Sequence, residues 1–442
     1  MRVKFSVPLL LLVVLSCTSP LLAKETPEEL ARIAVSEDAK AASVAIAKLR
    51  SLGPAGLETM LRVHARRINQ QIKTQHAGID PNWQRLSDAL DAVSQQKNSY
   101  LSGLYWYTDF GQAKAAAKKS GKPILSLRLL GNLNEEFSCA NSRFFRTILY
   151  SNLSISRVLR DQFVLHWKSV RPAPRVTIDF GDGRKLERTL TGNSIHYILD
   201  TEGRPIEALP GLYGPAAFLR ALLASEKVFA KLQEEGGPNP GQSLVTYRRD
   251  RIQRLNANWL NDIEKAGGTP PKEFTVVRRP DGTAEALAIT QLAIVKMMTE
   301  TTLLRSLMAS GELLGKITDE PAWRRIAELH RTDANLDSRS IGLIARQTQK
   351  IFAADGSRVV HDEGFKNLLD KLEVNIALDT VRNEYLMRTK LYLWMIEDRG
   401  RSDLEAFNQK VYAELFLTPA SDPWLGLFTP DTYVALDGGG IN

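Results

Sequence analysis

The spacing of apolar residues changes twice along this chain of 442 residues, and no other feature restricts its fold as much. Residues 24–98 and 244–417 carry apolar residues three and four positions apart, as helices do. Between them, residues 99–234 alternate short apolar runs with helical segments, the pattern of an α/β sheet with helices on both faces. We therefore predict a central α/β domain at 99–234, between a helical N-terminal domain at 24–98 and a helical C-terminal domain at 244–417.

Turn residues divide the central domain into short elements. Gly181-Asp182-Gly183 separates two β-prone segments and predicts a hairpin. Strands are predicted at Pro123–Leu130, Phe163–Val170, Val176–Phe180, Lys185–Leu190, Ile195–Leu199 and Ile206–Leu209. Helices are predicted at 110–120, Asn141–Tyr150, Ser154–Asp161 and Pro215–Leu232.

Glycine and proline mark both ends of the C-terminal helical domain. Residues 235–243 contain two glycines followed by Pro238, Asn239 and Pro240, which predicts a linker. Residues 418–442 contain three consecutive glycines at 438–440, close to the end of the sequence, and predict an extended tail.

The N-terminus carries the pattern of an export signal. Arg2 and Lys4 precede an apolar run from Val7 to Leu15, which is too short to cross a bilayer. Cleavage after Ala23 would remove a signal peptide of residues 1–23. Alternatively, the lipobox-like sequence that ends at Cys17 would make this cysteine the lipidated first residue. Both alternatives predict an exported protein, either periplasmic or anchored to the membrane as a lipoprotein.

Composition excludes several classes of function. Hydrophobic residues make up 43% and charged residues 24%, which is typical of a folded globular protein. The net charge of +8 is spread along the chain without a basic stripe, so we predict no nucleic-acid partner. With only Cys17 and Cys139, the chain is neither a disulfide-stapled scaffold nor a cysteine-rich metal protein. We predict no cofactor.

The central domain resembles the thioredoxin-like domains of exported bacterial proteins. The segments that carry this resemblance follow in the family's order: Trp106–Phe110, Gly121–Ile124, Phe163–Leu165, Leu199–Arg204 and Pro210-Gly211. The resemblance implies that the Ile124–Leu129 strand lies between Val164–Lys168 and Ile195–Leu199. It also implies that Cys139 begins a helix beyond the end of the first of these strands.

Three departures from the family pattern concern the implied active site. Ser142 replaces the second cysteine of the family's motif, so a two-cysteine disulfide exchanger is excluded. Ser194 stands where the family has a cis-proline, and we expect a trans Asn193–Ser194 bond because a non-proline cis bond costs about 2.5–4 kcal/mol. The hairpin region from Arg171 to Leu190 replaces an expected helix.

Two functional hypotheses follow from the resemblance. In the first, Cys139 is a monothiol redox residue: the helix dipole favours its thiolate, Ser142 donates a hydrogen bond to it, and Arg143, Asn193 and Ser194 bind the substrate. The substrate would be a protein thiol or a peroxide. In the second, Cys139 is a buried residue that the fold retains without a catalytic role, and the domain is a non-catalytic protein-binding module. Either way we expect an envelope protein as partner, and peripheral membrane attachment only through lipidated Cys17.

Two groups of residues resemble metal-binding patterns, and both are incomplete. His166 and His196 lie on predicted strands and could approach Cys139, but core histidines are the favoured interpretation. Asp333, Asn335 and Asp337 begin like a calcium loop that lacks its glycine and final glutamate. We therefore predict no metal site.

Overall fold

The computed structural model describes residues 25–73, 80–189, 192–235, 240–269, 311–352, 363–398 and 403–423. Within these ranges the chain is a mixed α/β protein with a small mixed sheet and many helices. The predicted signal segment 1–23, with Cys17, lies outside the described residues, as does the tail beyond Pro423.

Among the described residues, seven strands form two separate sheets. They are β1 (Trp106–Tyr107), β2 (Ile124–Leu130), β3 (Val164–Arg171), β4 (Arg175–Asp179), β5 (Lys185–Thr189), β6 (Ser194–Leu199) and β7 (Pro205–Pro210). The larger sheet has the order β1-β3-β2-β6-β7, with β1 and β2 parallel to β3, and β6 and β7 antiparallel to their neighbours. The strand β2 therefore lies between β3 and β6, as predicted. The predicted hairpin is the second sheet, an antiparallel β4–β5 pair.

The N-terminal helices have their own core. They are α1 (Pro27–Ile33), α2 (Ala39–Ser51), α3 (Pro54–Val63), α4 (Ala65–Lys73), α5 (Pro81–Ser94) and the single turn α6 (Ser99–Ser102). Thr26, Asp38 and Asp80 cap the first, second and fifth of these helices with side-chain oxygens. Leu49, Met60 and Leu90 are fully buried at the centre of this core.

The remaining helices surround the sheet and follow it. They are α7 (Phe110–Ser120), α8 (Ala140–Phe144), α9 (Leu153–Gln162), α10 (Pro215–Glu235), α11 (Pro240–Lys265), α12 (311–317), α13 (Glu320–Leu329), α14 (Ser338–Phe352), α15 (Glu363–Arg382), α16 (Thr389–Glu397) and α17 (Leu404–Lys410). π-Helical turns at Phe145–Leu149, Asn383–Arg388 and Val411–Leu415 extend three of these helices.

The linker predicted at 235–243 differs from the structure. Helix α10 continues to Glu235 and α11 already begins at Pro240, so 240–243 are helical, and 236–239 lie outside the described residues. Proline is tolerated in the first turn of a helix because the N–H it lacks has no partner there. The proline therefore begins a helix here instead of marking a loop.

The two faces of the larger sheet have different coverings. Every residue of β2 is buried, so both faces are shielded from solvent. On one face, the Phe110 ring of α7 lies 5.1 Å from the His166 ring, and Glu405 of α17 reaches Arg128. On the other face, the His196 ring lies 4.5 Å from Phe145, which follows α8. A single apolar core joins the sheet to the C-terminal helices.

A buried ion pair fixes the C-terminal helices to the edge strand β7. The side chains of Glu207 and Arg388 are 0% and 3% exposed, and their nearest charged atoms are 2.8 Å apart. Tyr392 and Tyr247 donate to the same carboxylate at 2.6 and 2.9 Å. Burial raises the pKa of Glu207, but Arg388 outweighs it, and the pKa lies below its ordinary value. The carboxylate is therefore charged in the core and depends on its cation.

We predict that Arg388→Met destabilises the fold by about 3–5 kcal/mol, because the substitution leaves Glu207 buried without a cation. Urea unfolding, read as a midpoint shift at constant m-value, measures this loss. Lys118→Met is the control: it removes an exposed pair with Glu202 and should cost less than about 1 kcal/mol. Equal losses for the two variants would contradict the assigned role of the buried pair.

Candidate functional site

Cys139 lies at the N-cap of α8 and is fully buried. Its amide donates to the carbonyl oxygen of Leu130 at 3.0 Å, which folds the loop after β2 back onto the end of that strand. The thiol belongs to the same core cluster as Tyr150 and Tyr412. Burial raises the pKa of both tyrosines, and the nearby Cys139 adds to this effect. Cys139 is thus where the resemblance places it, but it is enclosed on all sides.

The two residues predicted to assist Cys139 point elsewhere. Ser142 is fully buried, and its hydroxyl donates to the carbonyl oxygen of Cys139 at 2.9 Å, as helical serines commonly do. Arg143 donates from Nη2 to Oγ1 of Thr189 at 2.8 Å and so holds the end of the hairpin. The donation from Ser142 to the thiol that the sequence predicts is therefore replaced by a backbone contact.

Asn193 and Ser194 lie next to this helix, as the resemblance implies. Ser194 pairs with Leu129 of β2, and the Asn193–Ser194 peptide bond is trans, as predicted. A Cβ added to Gly192 would lie 2.8 Å from Oδ1 of Asn141, so the loop passes very close to α8. The site residues come together in space, but Ser194 is 0% exposed and its hydroxyl has no partner among the described residues.

The chain's own C-terminal segment, residues 411–423, covers this place. The Tyr412 hydroxyl donates to the backbone carbonyl oxygen of Asn193 at 3.3 Å. The side-chain amide of Asn193 donates from Nδ2 to Oγ1 of Thr418 at 3.1 Å. Arg171, at the end of β3, donates to the carbonyl oxygens of Thr418, Pro419 and Asp422 at 2.8–3.3 Å. Of the predicted substrate-binding residues, Asn193 is therefore already bound by the protein's own C-terminal segment.

The two strand histidines lie on opposite faces of the sheet. His166 is paired with Ser126, whose hydroxyl lies 2.8 Å from Nδ1, whereas His196 is paired with Leu127 and lies 2.7 Å from the Tyr150 hydroxyl. Burial lowers the pKa of each histidine to about 3, so both are neutral. Residues on opposite faces cannot share one metal ion. No group of three metal-ligating side chains is present in the described part of the chain.

Sequence reasoning missed the polar residues that hold α17, the helix directly before the C-terminal segment, in place. Arg128 is 0% exposed, and its Nη2 lies 2.7 Å from Oε1 of Glu405. Lys168 binds the same carboxylate at 3.0 Å. Burial raises the pKa of Glu405, but Arg128 and Lys168 outweigh it and keep the pKa below its usual value. A lone arginine inside the apolar run Ile124–Leu130 was the available signal, since a buried cation requires an anion.

A second polar cluster surrounds His330 on the far side of the C-terminal helices. His330 Nε2 lies 2.6 Å from Asp262, and Tyr385 donates to the same carboxylate oxygen. Arg220 binds Asp333 through two bonds of 2.7 and 2.6 Å, so this residue of the rejected calcium pattern is an ion-pair partner. Hydrogen bonds to Asp262 and Asp333 raise the pKa of His330 to about 9. His330 is therefore a charged structural residue at neutral pH.

Comparison of the chain with protein-family models, with curated proteins and with solved structures finds no match. Function is therefore argued from this chain's own geometry. Among the described residues, no helix has both the length and the apolar character needed to cross a bilayer.

The raised pKa of His330 predicts a pH-dependent stability. A histidine whose pKa rises from about 6.5 to about 9 on folding stabilises the protein fully below pH 6.5. That contribution should be lost as the pH rises through 9, and we expect a loss of about 2 kcal/mol in urea unfolding. In His330→Gln the decline between pH 6.5 and 9 should be correspondingly smaller. An identical decline in both proteins would show that another group titrates.

Proposed function

We propose that this chain is an exported, non-catalytic binding protein whose central domain is a thioredoxin-like scaffold. The complete burial of Cys139, in the same core cluster as Tyr412 of the C-terminal segment, is the observation that carries the proposal. A catalytic thiol has to reach the sulfur or oxygen atom it attacks, and here no surface of the thiol is open to solvent.

The arrangement of the larger sheet supports a thioredoxin-like scaffold. The resemblance implied a strand β2 flanked by β3 and β6, and the sheet has that order. It also implied a helix that begins at Cys139 beyond the end of β2, and α8 begins there. The expected helix between β3 and β6 is absent from its place in the chain, and the β4–β5 hairpin stands there instead.

The hydrogen bonds of the site support a non-catalytic role. The Ser142 hydroxyl donates to a backbone carbonyl oxygen of its own helix, and the Arg143 guanidinium donates to Thr189 of the hairpin. Exposure of the buried thiol requires the packing around it to open, and the C-terminal segment next to this site is held in place by the contacts of Asn193 with Tyr412 and Thr418 and by three bonds from Arg171. A monothiol redox enzyme would need that opening in every catalytic cycle.

Thiol reactivity tests the proposal. In full-length protein carrying Cys17→Ser, Cys139 is the only thiol. With an aromatic disulfide reagent at neutral pH, we expect Cys139 to react at least about 1,000-fold more slowly in the folded protein than in urea, because exposure requires a costly opening. Absorbance of the released thiolate follows the reaction.

The matched control places an exposed thiol on the same fold. Adding Ser120→Cys and Cys139→Ala to the Cys17→Ser chain moves the single thiol to the exposed end of α7, where it should react rapidly. Rapid reaction of Cys139 in the folded protein, or reduction of a peroxide at a rate that Cys139→Ala abolishes, would overturn the non-catalytic proposal and favour the monothiol enzyme.

Export is part of the proposal and has its own test. Expressed with its leader in a bacterium, the protein should be recovered from the envelope with a shortened N-terminus. Intact-mass analysis distinguishes a chain that begins at Lys24 from a lipid-modified chain that begins at Cys17. Cys17→Ser should change the mass only of the lipidated form. Unprocessed protein in the cytosol would contradict export.

A further inference from the structure

The β4–β5 hairpin is the most exposed part of the sheet region. Its strands form a sheet of their own, and most of their residues are exposed. A two-stranded hairpin alone is only marginally stable in water, so its contacts with neighbours matter. At the base, Arg143 binds Thr189, and the Arg175 guanidinium lies 4.5 Å from the centre of the Phe137 ring. These contacts orient the hairpin on the protein.

The two faces of the hairpin have opposite chemistry. The register places Arg175, Thr177 and Asp179 on one face, together with Lys185, Glu187 and Thr189. This face is polar and internally paired, since Lys185 lies 3.2 Å from Asp179 and Thr177 donates to Glu187. It is also the face whose base residues contact the body of the protein.

The other face of the hairpin is apolar at its centre. The register pairs Ile178 with Leu186 and Val176 with Arg188 on this face, and Phe180 continues it toward the tip. Ile178 is 47% and Phe180 55% exposed. A sheet that covers a protein normally turns its apolar face inward and its polar face to water. Here the orientation is reversed, which is typical of a surface that another molecule covers.

The positive charges on this face indicate the chemistry of the partner that it binds. Arg184, directly before β5, and Arg188, on β5, flank Leu186 at two-residue spacing, so all three side chains share the apolar face. The Arg188 guanidinium donates to the carbonyl oxygen of Glu187, and within the described residues it has no ion pair with a carboxylate. The Arg184 guanidinium forms an ion pair with the exposed Asp182 and lies 5.4 Å from the centre of the Phe180 ring on the same face. Two arginines around a leucine therefore favour an apolar segment flanked by acidic residues.

The outer edge of β5 can accept such a segment as an added strand. The Phe180 amide donates to the Arg184 carbonyl oxygen, which sets the alternation of inward and outward backbone groups. By that alternation, the backbone groups of Arg184, Leu186 and Arg188 face β4, and those of Lys185 and Glu187 face outward. Main-chain hydrogen bonds to an open edge give affinity, and alternate side chains give specificity.

A second copy of the same hairpin fits this edge poorly. Antiparallel pairing of two β5 strands about Leu186 would place Arg184 of one copy opposite Arg188 of the other. Like charges directly opposite each other destabilise a strand pair. The edge therefore favours a different chain with acidic residues over self-association.

We propose that the β4–β5 hairpin is the partner-docking element, and that it captures an extended segment with the pattern acidic–x–apolar–x–acidic as a strand beside β5. The proposal rests on the binding role argued above and specifies its surface and the chemistry of its partner. The apolar residue packs against Leu186, which Ile178 contacts from β4 on the other side, and the two carboxylates meet Arg184 and Arg188.

The test uses full-length protein and a labelled peptide, Thr-Glu-Thr-Val-Thr-Glu-Thr, whose symmetry permits either strand direction. Fluorescence anisotropy should show saturable binding that weakens with salt, and the peptide with lysine in place of both glutamates should not bind. Arg188→Glu should weaken binding by about tenfold or more, since it replaces attraction with repulsion. Ile178→Thr keeps β propensity and should weaken binding through loss of apolar contact.

Control variants separate docking from general effects. Lys118→Glu makes the same charge change at an exposed site on α7 and should leave binding unchanged. Urea midpoints of all variants should stay within the shift that corresponds to about 1 kcal/mol, because the changed side chains are exposed. Unchanged binding in Arg188→Glu, equal binding of the lysine peptide, or a dimer in sedimentation that Ile178→Thr dissociates would overturn the proposal. Rapid reaction of Cys139 would overturn only the non-catalytic role. An unreactive Cys139 together with no peptide binding would overturn only the docking element.

Discussion

The contact between Arg128 and Glu405 determines how the two halves of the protein fit together. Arg128 sits in the central strand β2 with no exposed surface, and an unpaired cation there would cost several kcal/mol. Its carboxylate partner comes from α17, 277 residues further along the chain. Helix α17 must therefore lie on that face of the sheet. Residues 411–423, which follow it directly, then cross the edge where Cys139 and Asn193 lie.

The same contact explains why the hairpin stands free. The resemblance to thioredoxin-like domains implied a helix between β3 and β6, and such a helix would cover the sheet. Instead α17 covers the face of Arg128 and Tyr197, and Asn408 accepts a hydrogen bond from the Tyr197 hydroxyl at 3.2 Å. The segment between β3 and β6 has no sheet face left to cover. It extends as the β4–β5 hairpin with its apolar face turned outward.

Local sequence patterns predicted the local structure well. The strands β2, β3, β6 and β7, the hairpin turn and the helix that begins near Cys139 all follow from runs of apolar residues and turn residues between them. Local patterns could not decide between a reactive and a buried Cys139, because Tyr412, which lies in the same core cluster, is far away in the chain. Only the position of Arg128 inside an apolar strand indicated that an acidic element from elsewhere would pack there.

The shared core of the sheet and the C-terminal helices limits how the thiol can be exposed. The Glu207–Arg388 pair fixes β7 to the π turn before α16, and the Arg128–Glu405 pair fixes β2 to α17. Both pairs have one or two members without exposed surface, so separating either leaves a charge in an apolar environment. Residues 411–423 thus follow a helix that is anchored in the core and cannot swing away as a free tail would. Exposure of Cys139 is therefore coupled to the stability of this core. A partner that binds the outward face of the hairpin can associate without disturbing it.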